Sequence, residues 1–314
     1  MEETKEIELS FPGYKETIQE IGRQLSLRKG ILLKRILFLI WPPLISAISL
    51  ILINEAYQSG WLQTGWKHTN LLLGVAGFWL VFSLCYYYFF SFIFDIEKII
   101  WVDSFFDKRN LDPKDSWRIA KKLFRPYFRL RLVIFVRYIL PAAVLFYVYL
   151  FQVLLRFAGN SIVNDDYLAL GSIVASLIIG MYFYYLRVIL RYVPFIFLDR
   201  HGTDNVFYSE LFKEMKELKK IESTKTHTRA LLAHLFSDVV NELVSVNLIR
   251  VQRCLSYLGL PGKIAGVSVR MFGEETSRQV TSVGRSIAVY LLYRFVRQKV
   301  YGQAQYINES LYKL

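Results

Sequence analysis

Few side chains in this sequence have the type and spacing that metal or catalytic chemistry requires. His227 and His234 are seven positions apart, on one side of a predicted helix, and Asp238 follows His234 by one turn. These side chains would supply part of a zinc site, but no fourth ligand has a suitable spacing in the sequence. We therefore interpret them as polar positions on an amphipathic helix and expect no metal.

The sequence also lacks familiar catalytic motifs. It contains no GxxxxGK[ST], GxGxxG, HExxH or GxSxG pattern. Cys85 and Cys254 are far apart and form no CxxC pair, so we interpret both as reduced thiols. The polar cluster 199–201 is better explained as a helix end than as a site. We expect a protein that is not an enzyme and has no cofactor.

The side chains with the clearest potential to bind a ligand are five arginines that flank long apolar runs. They are Arg129, Arg131, Arg137, Arg187 and Arg191. One interpretation is that they are membrane anchors whose long side chains reach water. The other is that they converge as a basic collar that binds an anionic lipid head group or another anion. The apolar runs contain no acidic residue, which disfavours a proton relay or a cation path.

Four uncharged apolar runs must position these arginines. Each approaches or exceeds the roughly 20 residues that a helix needs to cross a hydrocarbon core. The runs are 36–54, 69–94, 138–155 and 167–186. Because a bilayer offers no partner to exposed backbone polar groups, each run should be a helix. We predict an all-α, polytopic membrane protein with about four transmembrane helices.

The basic residues are distributed unevenly around these runs. Segment 95–131 holds ten Lys and Arg, whereas loops 55–68 and 156–166 hold one each, Lys67 and Arg156. Because cytoplasmic segments carry the basic excess, both termini are predicted to be cytoplasmic. The net charge of +13 then indicates contact with anionic lipid rather than nucleic acid. Abundant Ile, Lys, Phe and Tyr favour a bacterial inner membrane.

The cytoplasmic segment 95–131 is predicted to contain an amphipathic helix at the membrane interface. Asp112 and Pro113 are typical of a helix N-cap and first helical position. Basic and aromatic residues then alternate, as in helices that lie among lipid head groups. The residues predicted to anchor it are Trp117, Lys121, Lys122, Phe124 and Arg125.

The chain divides into a cytoplasmic segment 1–35, a transmembrane domain 36–198 and a C-terminal cytoplasmic helical region 199–314. Apolar residues recur every three or four positions in the last region, which predicts helices with an apolar stripe. The stripe residues predicted to contact a partner are Leu232, Leu235, Val239, Leu243, Val283, Ile287, Leu291 and Phe295. Helices with such faces make a thin core alone, so we expect burial against protein or membrane.

These features favour a non-enzymatic membrane subunit or scaffold, whose cytoplasmic helices assemble with copies of itself or with a larger complex. An oligomeric transporter or channel component is the alternative, because Pro42 and Pro43 interrupt the first run and broken helices often form binding sites. A lipid-modifying enzyme that uses the basic collar is a third hypothesis. The expected partners are anionic lipids and other protein subunits, without nucleic acid.

Overall fold

The computed structural model describes residues 13–61, 67–106, 111–141, 143–144, 165–200 and 208–301. Within these ranges the structure is all-helical and contains no strand, as the sequence predicts. The helices are α1 (Tyr14–Gln58), α2 (Lys67–Phe106), α3 (Pro113–Ile134), α4 (Asp165–Ile189), α5 (Val193–Arg200), α6 (Tyr208–Ile221), α7 (Thr224–Ser256) and α8 (Gly259–Tyr301). A π-helical turn, Phe135–Ile139, continues α3.

Four segments in the described part of the chain are long and apolar enough to cross a membrane. They are Lys15–Gln58, Thr69–Ser104, Leu177–Arg200 and Thr224–Ser256. The first two contain the predicted runs 36–54 and 69–94, and the third overlaps run 167–186. Run 138–155 lies mostly outside the described residues. The remaining segment is α7, which the sequence analysis assigned to the cytoplasm. A multi-span membrane protein is therefore supported, with a different set of helices.

Helix α1 continues without a break through Pro42 and Pro43, and α2 supplies the hydrogen bond that Pro42 cannot donate. Proline has no N–H, so the carbonyl of Phe38, four residues before Pro42, lacks its helical donor. The Tyr86 hydroxyl of α2 donates to that carbonyl at 3.1 Å. The Ser83 hydroxyl donates to the Pro42 carbonyl at 3.2 Å. The prolines therefore do not open the helix. The transporter hypothesis had supposed that they interrupt it.

The buried core lies at one end of the apolar runs, which we call the core end. Helices α1, α2, α3, α5, α6 and α8 meet there. Its largest fully buried side chains include Trp101, Tyr127, Tyr192, Phe197 and Tyr293. Toward the opposite end, apolar side chains of α2 such as Phe78 are exposed, at 74% for Phe78. Exposed apolar surface along a span is what contact with acyl chains requires.

A buried ion pair joins α1 to α2 at the core end. Arg35 donates two hydrogen bonds to the Glu97 carboxylate, at 3.0 and 3.1 Å, and the Glu97 side chain is fully buried. Ser116 of α3 donates to the same carboxylate at 3.1 Å, and Trp101 donates its indole N–H to Ser116 at 2.9 Å. This network fixes α3 against the first two helices.

Helices α7 and α8 form a second long hairpin, which turns at Tyr257 and Leu258. Gly259 follows with φ of +75°, a conformation that glycine adopts without the strain a side chain would bring. The two helices approach closely at Gly262 and Gly273. A Cβ at Gly262 would lie 1.9 Å from the Leu255 carbonyl oxygen. The small residues therefore let the helices meet along their length.

Helix α8 runs antiparallel to α1 and contacts it from one end to the other. Lys263 forms an ion pair with Glu55 near the end of α1, which we call the tip end. Gly284 lies beside Ile21, at the other end of α1, where a Cβ would be 3.3 Å from the Ile21 side chain. The hairpin turn of α7 and α8 is therefore level with the tip end of α1.

Candidate functional site

A basic cavity of about 380 Å³ lies at the core end, between α2, α3, α4, α5, α7 and α8. This volume lies within the usual range of small-molecule sites. Five cations line the cavity, with one carboxylate, Asp95. The cations are Lys98, Arg131, Arg187, Arg191 and Arg285. The remaining wall is largely apolar and includes Phe183, Leu186 and Phe195. Such a lining is suited to an anion that carries an apolar part.

The turn between α4 and α5 places Arg187 and Arg191 one helical turn apart, so that both line the cavity. Arg191 is fully buried and forms an ion pair with Glu222, which also accepts a hydrogen bond from Tyr192 at 3.1 Å. Arg191 donates a second bond to the Val188 carbonyl at 2.6 Å. The charge of Arg191 is therefore compensated, and this residue fixes the turn.

Lys98 of α2 forms hydrogen bonds with α8 beside the cavity. Its ammonium group lies 2.6 Å from Asp95 and donates to Gln279 and Ser282, each at 3.0 Å. Its side chain is only 3% exposed. Because a buried cation needs such partners, Lys98 is primarily a structural part of the cavity wall.

Arg187 has a carboxylate partner among the described residues, whereas Arg285 has none. Arg187 forms a largely exposed ion pair with Asp238 of α7, at 2.7 Å. Arg285 makes no hydrogen bond or ion pair with any of the described residues. Burial lowers the pKa of Arg285, and the neighbouring Arg187 lowers it further, although Asp238 opposes them. An anion in the cavity would offset both the burial and the repulsion at Arg285.

His234 of α7 also lines the cavity and is 5% exposed. Neither of its ring nitrogens has a hydrogen-bond partner among the described residues. A buried polar group without a partner is costly, and a native structure normally satisfies it with protein, water or ligand. A neutral imidazole has one donor and one acceptor nitrogen, so His234 can donate to an oxygen of a bound anion.

The structure brings together three of the five arginines in the predicted basic collar. Arg131, Arg187 and Arg191 line the cavity, and Arg131 also donates to the Tyr127 hydroxyl at 3.0 Å. Arg129 and Arg137 do not line it. Arg129 is exposed on α3, and the Arg137 guanidinium lies 5.5 Å from the Phe212 ring.

Sequence reasoning missed Lys98, His234 and Arg285 as cavity residues. Lys98 follows the predicted run 69–94 closely, and this position was the only available signal. His234 and Arg285 lie on two different helices of the C-terminal region, and only their packing against the spans brings them to the cavity.

The predicted interfacial anchor divides into two groups. Lys121, Lys122 and Arg125 lie on the exposed side of α3. Trp117 lies under the Arg35 guanidinium, 3.9 Å from the ring centre, and Phe124 packs on Phe89 at 4.7 Å. The two aromatic residues therefore contact the protein's own helices, and contact of the basic residues with lipid stays a prediction.

The predicted partner interface is divided in a similar way. The four residues on α7 are exposed: Leu232, Leu235, Val239 and Leu243. On α8, Val283 and Ile287 are buried in the core, and Leu291 and Phe295 pack partly against it. The α8 half of the stripe is thus covered by the chain itself, which leaves the α7 half for another contact.

The polar cluster after α4 and the paired histidines have structural surroundings. Asp199 accepts a hydrogen bond from Tyr293 and forms an ion pair with Arg297, so it ties α5 to α8. His201 lies outside the described residues. His227 is exposed while His234 is buried, and the described residues contain no cluster of metal-ligating side chains.

No family model matches the chain, and comparison with curated proteins and with solved structures found no significant similarity.

Proposed function

We propose that this chain is a non-enzymatic integral membrane subunit that binds the phosphate of an anionic lipid head group in the basic cavity. The observation that carries the proposal is the excess of cations over carboxylates in the lining, where Arg285 forms no ion pair with the described residues. Guanidinium groups bind phosphate oxygens with paired, charge-assisted hydrogen bonds. His234 offers a further donor at the same cavity.

A lipid is favoured over a free anion by the position of the cavity. It lies at the core end of the apolar runs, where a head group meets water. Apolar side chains of α4, including Phe183 and Leu186, form part of its wall and would contact the upper part of an acyl chain. Basic pockets between helices at this depth bind acidic head groups.

The test compares lipid binding by the wild-type protein with binding by Arg285→Gln in nanodiscs. We expect the wild type to retain phosphatidylglycerol over phosphatidylcholine, as measured by native mass spectrometry. Arg285→Gln should lower that preference about tenfold, as the loss of one charge-assisted pair predicts. Arg253→Gln is the matched control, because Arg253 is exposed near the tip end.

Competition with inorganic phosphate separates the two sources of the anion. Displacement of the lipid only by other acidic lipids supports a head-group site, whereas displacement by millimolar phosphate indicates a site for a free anion. Equal lipid retention by Arg285→Gln and the wild type would contradict the proposal.

Assembly with protein subunits is a second proposal, supported by the exposed stripe on α7. Because α8 contributes its stripe to the chain's own core, the exposed members of the predicted partner interface among the described residues are Leu232, Leu235, Val239 and Leu243. Mass measurement of the complex in nanodiscs tests this proposal, and a stable monomer without co-purifying protein would contradict it. What the stripe contacts depends on the depth of α7 relative to the bilayer.

A further inference from the structure

We infer that α7 and α8 cross the bilayer as a hairpin beside α1 and α2, with the apolar side chains of α7 between Asn241 and the turn facing acyl chains. The inference goes beyond the anion site, since it concerns the surface that the other end of the molecule presents to lipid. It also assigns a membrane position to α8, a helix that does not qualify as a span by composition.

The levels at which α8 contacts the first two helices define its depth. At the tip end, Lys263 pairs with Glu55 of α1. At the core end, Ser282 accepts a hydrogen bond from Lys98, which adjoins the Glu97 partner of Arg35. The part of α8 between these contacts therefore lies beside the part of α1 that carries the apolar run 36–54.

The segment of α8 between these contacts has the length of a membrane span. About 19 residues separate Lys263 from Ser282, and at about 1.5 Å per residue they form a helix of roughly 28 Å. A hydrocarbon core is about 30 Å thick. If α1 spans the bilayer, this part of α8 is long enough to span it at the same depth.

Helix α7 covers α8 over the same depth. Near the core end, Thr281 of α8 donates to the Asn241 side chain at 3.1 Å. Farther toward the tip end, Ser245 donates to Glu274 at 2.8 Å, and Leu248 packs against Gly273. The turn at Tyr257 is then level with the end of α1, where Ser59 is exposed.

Between Asn241 and the turn, α7 exposes apolar side chains together with the long side chains of Arg250 and Arg253. Leu243 is 59% exposed, Val246 is 45% exposed and Val251 is 43% exposed. Exposed apolar side chains along a span are what contact with acyl chains requires. Long arginine side chains can extend from a span toward the membrane surface.

Charged side chains of α8 at this depth form ion pairs along the helix, in which Arg270, Glu274 and Arg278 remain 33–47% exposed. Glu274 pairs with Arg270 at 2.8 Å. Glu275 pairs with Arg278 at 2.8 Å and accepts a hydrogen bond from Tyr87 at 2.8 Å. Ionisable groups within membranes are found paired and facing other helices.

Because the hairpin adds two crossings, both chain ends remain on one side.

The inference is tested by labelling single cysteines in sealed membrane vesicles with a membrane-impermeant maleimide. In a background with Cys85→Ser and Cys254→Ser, we introduce Ser59→Cys, Tyr257→Cys or Thr224→Cys. All three positions are exposed.

We expect Ser59→Cys and Tyr257→Cys to react from one side and Thr224→Cys from the other. Reaction of Tyr257→Cys from the same side as Thr224→Cys, opposite to Ser59→Cys, would overturn the inference, as would a Tyr257→Cys that reacts only in detergent. The result does not depend on lipid binding at Arg285, so the two proposals fail independently.

A nitroxide on Val246→Cys identifies what covers this part of α7, where Val246 is 45% exposed. We expect high accessibility to oxygen and low accessibility to a water-soluble nickel reagent, as at a matched Phe78→Cys on α2. Low accessibility to both reagents would indicate a protein partner, and high accessibility to nickel would indicate water. Either result would overturn the assignment to acyl chains.

Discussion

The α1–α2 pair and the α7–α8 hairpin are both long and antiparallel, but their polar residues are placed differently. Through its predicted runs, the first pair is uncharged, and its few polar contacts, such as Tyr86 with Phe38, satisfy the backbone. The second pair carries charges along α8, which form ion pairs within the helix, and Glu275 also accepts a hydrogen bond from Tyr87 of α2. Long helices of similar packing can therefore place their polar groups in different ways.

The largest expected effect tests whether the packing of α1 on α2 depends on the buried ion pair between Arg35 and Glu97 at the core end. Glu97→Ala should lower the free energy of unfolding by about 3–5 kcal/mol, because Arg35 would lose a buried partner. The measurement is unfolding in detergent followed by circular dichroism. Glu20→Ala is the control, since Glu20 pairs with the exposed Arg23 and should matter much less. Equal losses in the two variants would contradict this role of Glu97.

The next prediction compares glycines of the two hairpins. Gly262→Ala should cost about 1–3 kcal/mol, because its Cβ would overlap the Leu255 carbonyl oxygen. Gly77→Ala on α2 meets no atom within 4 Å and should be neutral or slightly stabilising. Thermal unfolding in the same detergent measures both variants. A neutral Gly262→Ala would contradict the close approach of α7 and α8.

A smaller effect is expected where α2 supports the prolines of α1. Tyr86→Phe removes the hydroxyl that bonds to the Phe38 carbonyl and should cost about 0.6 kcal/mol, the average for such bonds in membranes. Tyr88→Phe is the control, because Tyr88 is exposed on the same helix. Identical stabilities of the two variants would show that α1 tolerates its prolines without α2.

The smallest effect lies outside both hairpins, on α6. Burial and the neighbouring Arg191 together lower the pKa of Lys219 to about 8, although Glu222 opposes them. Between pH 8 and roughly 10.5 the unfolded chain binds more protons at this position, so stability should rise with pH in this window. Lys219→Gln should remove that rise and slightly stabilise the protein at pH 7. Apparent melting temperatures at pH 7, 8 and 9.5 check the sign. An unchanged pH profile would exclude Lys219 as its cause.

The helical fold and the first two spans were predictable because their signals are local. Runs 36–54 and 69–94 are uncharged over the length that a bilayer requires. Three cavity arginines were also predictable, since Arg131, Arg187 and Arg191 adjoin apolar runs. His234 and Arg285 were not, because neither residue has an unusual neighbour in sequence, and only the packing of α7 and α8 brings them together.

By itself, the sequence determined that this is a helical membrane protein with a basic excess beside its spans. It determined this because apolar length and charge are properties of contiguous residues. Only the tertiary structure decided that α8 lies beside α1, that half of the apolar stripe is buried, and that five cations share one cavity. Those features depend on contacts between residues far apart in the chain, which no local pattern in the sequence reveals.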